Sequence, residues 1–295
     1  MAINKTGTHG ALLTNVLQNA IFTASERSIA GNLVTVYDMA GTPGLTAQVP
    51  VYPEVSATAL TEGSDLTVQT SVNPTQVDVT ASEIGVRADI TDLLRETSNR
   101  DVAADIGGIL GRGIAEKVDA DVFAQFDSLT TNVINTSGAT GDLTVETILK
   151  AIYQLRAQNA PTDADGDYFG VFAPAAMHNL TKVLTNAGFA QAGSGVGQAV
   201  SNLGNNLLSS SAYVGKIYNC KMFMTTAVAV DSASDSVGSV FSSQAFGHVI
   251  KRPIVVKEQY DASLRSTEFV ATTARGNNIL VDKYAVKVKT EATID

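Results

Sequence analysis

The chain has 295 residues, enough to bury a sizeable core and to divide into subdomains, and 44% hydrophobic with 17% charged residues excludes a disordered chain on composition. A net charge of -9 and a pI near 4.8 argue against strong sequence-independent binding of nucleic acid, which needs Lys and Arg to displace counterions from phosphates. No run approaches the roughly 18 apolar residues of a membrane helix, Met1 to Lys5 lacks the features of a secretory signal, and the single Cys220 allows no internal disulfide and fits a reducing compartment.

From Gly10 to Arg27, Leu12, Leu13, Val16, Leu17, Ala20, Ile21 and Ala24 recur at spacings of three and four, the period of an amphipathic helix that Gly31 ends. Lying so near the terminus, it is expected to dock as an arm on the body or on a neighbouring chain. The period then changes to two. Leu66, Val68, Thr70 and Val72 alternate with polar residues up to Asn73-Pro74, and Val77, Val79, Ile84, Val86, Ala88 and Ile90 continue beyond it. Strand, turn, strand is the reading, with flanks too polar to bury both faces, as in a projecting two-stranded loop.

Asn99 to Asp127 reads as a long helix with Val102, Ile106, Leu110, Ile114, Val118, Val122 and Phe126 spaced by four, and Ile109 and Phe123 beside them. That spacing turns the apolar stripe by about 40° per step, so the two ends must meet different partners. Gly107, Gly108, Gly111 and Gly113 each cost about 1 kcal/mol against alanine in a helix, which predicts a bend or a tight crossing. A second helix is predicted over Val145 to Gln158, a buried strand over Tyr168 to Phe172, and a helix after Pro174 through Met177, Leu180, Val183 and Leu184. Ala187 to Ser211, rich in small and polar residues, reads as a loop ordered by its neighbours. The last fifth is strand-like at Ile254 to Val256, Glu268 to Ala274, Asn278 to Val281 and Tyr284 to Thr290, with turns predicted at Asp261 to Ser263 and Arg275 to Asn278.

Motifs that would carry chemistry are weak. Asp163-Ala164-Asp165-Gly166-Asp167 is similar to a calcium loop, but its glycine is fourth instead of sixth and Pro174 stands where a bidentate glutamate belongs. Gly193 to Gly197 has neither the preceding strand nor the following Gly-Lys-Ser/Thr of a phosphate loop. Cys220 with His178 lacks an orienting partner, and His9, His178 and His248 are too far apart in sequence for a zinc site. Only Arg27 is basic near the end of the first helix, so docking on protein is favoured over lying on a membrane. The expectation is no catalytic residue, no cofactor and no metal.

The order of these parts resembles the Hong Kong 97-type major capsid proteins of tailed bacteriophages over nearly the whole chain. Ala59 through Gly63 before the alternating strands resembles that family's extended loop, and Ile90 through Leu94 followed by Asp101-Val102 resembles the start of its spine helix. Phe172-Ala173-Pro174 with His178 to Leu184, then Val214 to Ile217 leading into Met222 to Thr226, is similar to the axial domain, although Asn219-Cys220 stands where many members have glycine. Arg275 through Lys289 resembles the closing strands of the peripheral domain.

The resemblance implies an α+β capsid fold with an N-terminal arm at 1–40 and an extended β-loop at 41–88. It implies a peripheral domain at 89–140 and 253–295, with its spine helix at 99–127, and an axial domain at 141–252. It further implies a structural subunit that forms pentamers and hexamers in an icosahedral shell around double-stranded DNA, is assembled in the bacterial cytoplasm and resides in the virion capsid. The extended loop of one subunit would lie over the peripheral domain of the next. Glu54, Glu62, Asp65, Asp78, Glu83 and Asp89 in and beside that loop face only Arg87 locally, so contacts with Arg95, Arg100 and Arg112 of a neighbour are expected. A half-polar loop and a spine helix with a turning stripe are expected to find their second partners on other chains. Some members cross-link their shells through a lysine in the extended loop; no lysine occurs between Lys5 and Lys117, so that bond is not expected. Because the arm begins close to Met1, a separate scaffolding protein is expected, alongside a portal, with shell strength coming from noncovalent contacts or from an added cement protein. The rival readings are an encapsulin-type nanocompartment, which shares the fold, and an adhesion or surface-layer protein.

Overall fold

The computed structural model describes residues 16–24, 27–55, 57, 59–63, 72–97, 102–136, 141–190, 213–231 and 234–293. The chain opens with helix α1 (16–24), a short helix α2 (Ala30–Leu33) and strand β1 (Thr35–Asp38). Strands β2 (Thr46–Val51) and β3 (Thr75–Thr80) pair antiparallel as a separate ribbon, with Val49 opposite Val77. Strand β4 (Ser82–Thr91) follows, then α3 (Asp92–Thr97) and the long α4 (Val102–Phe123), which tightens into a 3-10 turn over Ala124–Ser128.

The middle of the chain holds β5 (Val133–Asn135), α5 (Val145–Ala157), β6 (Tyr168–Phe172), α6 (Pro174–Ala190), β7 (Tyr213–Ile217), β8 (Cys220–Met224) and β9 (Asp235–Phe241). It closes with the long strands β10 (Phe246–Asp261) and β11 (Ser266–Ile279), and with β12 (Ala285–Glu291). Among the described residues a four-stranded sheet runs β1-β10-β11-β4 and a six-stranded sheet runs β5-β12-β9-β6-β8-β7. The architecture is therefore mixed helix and sheet, as expected.

Local chemistry explains several boundaries. Thr144 caps α5, its hydroxyl accepting from Thr147 N at 3.2 Å, and Ile148, Ala151, Ile152 and Leu155 form the buried face. Pro174, with no N–H to lose, starts α6. Strand β6 is buried at every position because β8 and β9 flank it and helices cover the sheet. Pro253 sits in β10 where the pairing with β11 shifts register, a place where a missing donor does no harm.

The spine helix α4 meets two different cores, as its turning stripe requires. Ile106, Leu110, Ile114 and Val118 pack with Val16, Ala20, Ala24 and the sheet residues Ile90, Ile254, Val256, Phe269 and Ala271. Val122, Phe123 and Phe126 pack with Phe169, Phe241 and Phe246. Both partners belong to the same chain, so the expectation that the stripe is completed by a neighbour is corrected: the long strands β10 and β11 already span the distance. The glycines mark a tight crossing, since a Cβ on Gly107 would stand 2.7 Å from the Val16 carbonyl oxygen, and one on Gly111 would overlap that of Ala20.

Three further expectations change. Gly31 lies inside α2, and the first helix breaks earlier, at Ser28-Ile29, where α4 offers a carboxylate to the freed amides. Arg275 to Asn278 is not a turn: β11 runs straight through, and Gly276 is there because Thr80 backbone presses against it. The strand partner of Val77 and Val79 is β2, whereas the predicted strand at Leu66 to Thr70 lies outside the described residues. The Gly193 to Gly197 stretch and most of the Ala187 to Ser211 loop lie outside them too, while 187–190 continue α6.

Candidate assembly surfaces

The β2-β3 ribbon carries large apolar side chains into solvent at its base and beyond: Tyr52 is 64% exposed and Leu60 67%, with Leu45, Val55 and Val72 also exposed. Among the described residues nothing covers these side chains, and a two-stranded ribbon is too thin to bury them itself. A second apolar group gathers at the far end of the four-stranded sheet, where α3 meets the β10-β11 turn. Leu93 and Leu94 stand there with Tyr260 and Leu264, all at least half exposed. The place is rigid: Asp92 N donates to the Arg265 carbonyl at 2.9 Å, Tyr260 Oη donates to Asp92 at 2.8 Å, and Asp261 accepts from Ser263 and Leu264 within the turn.

The acids of the ribbon region divide into paired and free. Glu54 meets Lys283 Nζ at 2.6 Å, and that hydrogen-bonded cation holds its carboxyl below the usual range. Glu83 pairs with Arg252, and Arg87 bridges Asp89 at 2.8 Å and Glu268 at 3.1 Å. The Asp89 partner raises the Arg87 guanidinium above its ordinary value. These pairs are exposed and contribute little stability. Among the described residues no ion pair involves Glu62, at an exposed turn beside Gly63 with φ +79°, or the Asp78 carboxylate.

Of the sequence-derived contact residues, Glu54 is thus engaged within its own chain. Arg112 stands on the exposed face of α4, Arg95 belongs to the backbone of α3, and Asp65 and Arg100 lie outside the described residues. No described ion pair joins a ribbon acid to Arg112. Sequence reasoning missed Lys283 and Arg252 as partners, since they lie 229 and 169 positions from the acids they meet and nothing local announces them.

Other motifs resolve into structure. In the acidic turn, Lys221 Nζ lies 3.3 Å from Asp163 and 2.6 Å from Asp165, and Lys216 meets Asp167 at 2.6 Å, so lysines stand where a cation would. Among the described residues no cluster of three or more His, Cys, Asp or Glu has metal-binding geometry. Cys220 is fully buried beside Gly170 and Met222, and burial pushes its thiol far above the ordinary value, while His178 is exposed and contacts Asn179. Among the described residues no helix is long and apolar enough to cross a membrane.

The fold has close counterparts among solved structures. A chain of Mycobacterium phage Che8 is similar over 88% of this chain and 90% of its own, with TM-score 0.64 and 15% identity. The capsid of Ralstonia phage GP4 matches over 89% and 88%, with TM-score 0.67 and 13% identity. The virus-like particle from Pyrococcus furiosus matches over 94% and 98%, with TM-score 0.59 and 10% identity. At these identities the likeness establishes a fold, and the fold is that of Hong Kong 97-type shell proteins. No curated protein matches by sequence. A family model described as "Phage capsid protein" matches residues 74–291, and the chain belongs to that family as a structural, major capsid protein whose place is the virion capsid.

Proposed function

We propose that the protein assembles with copies of itself, as pentamers and hexamers, into a closed icosahedral shell around phage double-stranded DNA. The observation that carries this is the β2-β3 ribbon and the segment that leaves it, where Tyr52, Val55 and Leu60 are exposed and Glu62 has no ion pair among the described residues. In this reading 1–40 form the arm, 41–88 the extended loop, 89–140 with 253–295 the peripheral domain and 141–252 the axial domain. The loop of one subunit rests on the peripheral domain of the next, with Glu62 and Asp65 directed to Arg95, Arg100 or Arg112. Glu54 is reserved for Lys283 of its own chain.

A net charge of -9 suits a container that encloses DNA without gripping it. A separate scaffolding protein and a portal complete the assembly, which takes place in the host cytoplasm, and noncovalent contacts or an added cement protein supply the strength of the shell. Reversing the charge in Glu62→Lys lowers shell yield severalfold in sedimentation assays, and unchanged yield would remove Glu62 from the interface. Because the Pyrococcus furiosus virus-like particle shares the fold, a second reading is an encapsulin-type compartment. Contents separate the two: nuclease-protected DNA in particles from infected cells supports the phage shell, and a packaged protein supports the compartment.

A further inference from the structure

A polar layer is buried where the N-terminal segment, α4 and the four-stranded sheet meet. Asp119 on α4 is 4% exposed and accepts from Ser28 Oγ at 2.7 Å, Ile29 N at 3.0 Å and Ala30 N at 3.1 Å. One carboxylate therefore satisfies the amides freed at the break between α1 and α2. His248 on β10 and Arg275 on β11 line the same cavity as Ser28. Burial raises the Asp119 carboxyl and lowers His248 and Arg275 from their ordinary values. The other charges nearby are spoken for: Lys117 pairs with Asp121 on α4, and Glu83 on β4 with Arg252 on β10.

On its far side the layer touches the root of the ribbon. His248, 1% exposed, shares a hydrogen bond between its Nδ1 and Asn277 Oδ1, and Arg275 Nε donates to Thr273 at 3.2 Å. The same strand holds β3 in place, since Asn278 Nδ2 donates to the Asp78 carbonyl at 2.7 Å and Gly276 lies against Thr80 backbone. His248 and Arg275 form a shared wall between two cavities. One, of about 330 Å³, opens toward Ile21 and Gly31 of the N-terminal segment; the other, of about 630 Å³, opens toward Thr80 and Ser82.

We infer that this layer couples the position of the N-terminal segment to that of the ribbon, so that loosening either end loosens the other. If Ser28 to Ala30 lift away, Asp119 loses three donors, and a buried carboxylate cannot stay unsatisfied. Arg275 and His248 line the same cavity as Ser28; the buried Nε2 of His248 has no partner and is available to Asp119, and turning Arg275 toward Asp119 withdraws it from Thr273, on the strand that holds Asp78 to Thr80. Linkage makes the effect reciprocal. Nothing in this coupling depends on shell formation.

Hydrogen exchange of the full-length protein tests it, comparing the native chain with Asp119→Asn and Asn278→Ala. Exchange in 28–38 and in 75–82 rises by about tenfold in both variants, the loss of about one hydrogen bond at each end, while α5 stays as in the native protein. Changes confined to each variant's own end would overturn the coupling, as would an equal rise in α5, which would mean general loosening. Should Asp119→Asn fail to fold, Ser28→Ala removes a single donor and is judged by the same pattern.

Discussion

At the scale of single residues, buried or half-buried carboxylates act here as staples between distant segments. Asp282 accepts from the backbone N–H and hydroxyl of both Thr130 and Thr131, at 2.7 to 3.3 Å. Burial alone would raise its carboxyl, but the hydrogen bonds from Thr131 and Thr130 together outweigh that and leave it below the ordinary value. The folded protein thus binds a proton at Asp282 less readily than the unfolded chain. The stability gained is present above the unfolded carboxyl value of about 3.9 and is lost as pH falls through the folded value. Asp282→Asn costs about 1 kcal/mol near neutral pH, measured as a shift in the urea midpoint, and the gap to the native protein closes below about pH 4. A gap that persists in acid would show that the staple does not depend on charge. No local signal in the sequence reveals this residue, because Asp282 and Thr130 are 152 positions apart.

At the scale of elements, periodicity made the helices and buried strands legible. α5 and β6 appear as read, and the stripe of α4 from Ile106 to Phe126 is buried along its length. What failed was pairing and glycine. Val77 and Val79 show only that they lie in a strand, and period two carries no address for β2 some thirty positions earlier. Gly276 next to two asparagines reads as a turn, but its role is a close backbone approach, which the same residue type serves equally well. The glycines of α4 can now be told apart. Gly111→Ala drives a Cβ into the Ala20 carbonyl and costs about 1–3 kcal/mol in thermal unfolding. Gly108 meets only Thr23 Oγ1, at 3.8 Å, so Gly108→Ala is neutral or gains up to about 1 kcal/mol from helix propensity. Equal losses at both positions would contradict the tight crossing of α1 on α4.

At the scale of the whole molecule, the order of helices and strands read from the sequence led to a family resemblance, and residues 74–291 match the model of that family. Charges alone grouped Glu54 with Glu62, and only the fold shows that Lys283 has already claimed Glu54. The ribbon and the α3 corner expose large apolar side chains, as the proposed contacts between subunits require. The most direct test of this account is negative-stain electron microscopy of the full-length protein expressed alone and with candidate scaffolding proteins. Closed icosahedral shells or rings of five and six subunits are the predicted result; monodisperse monomers under every condition would contradict it.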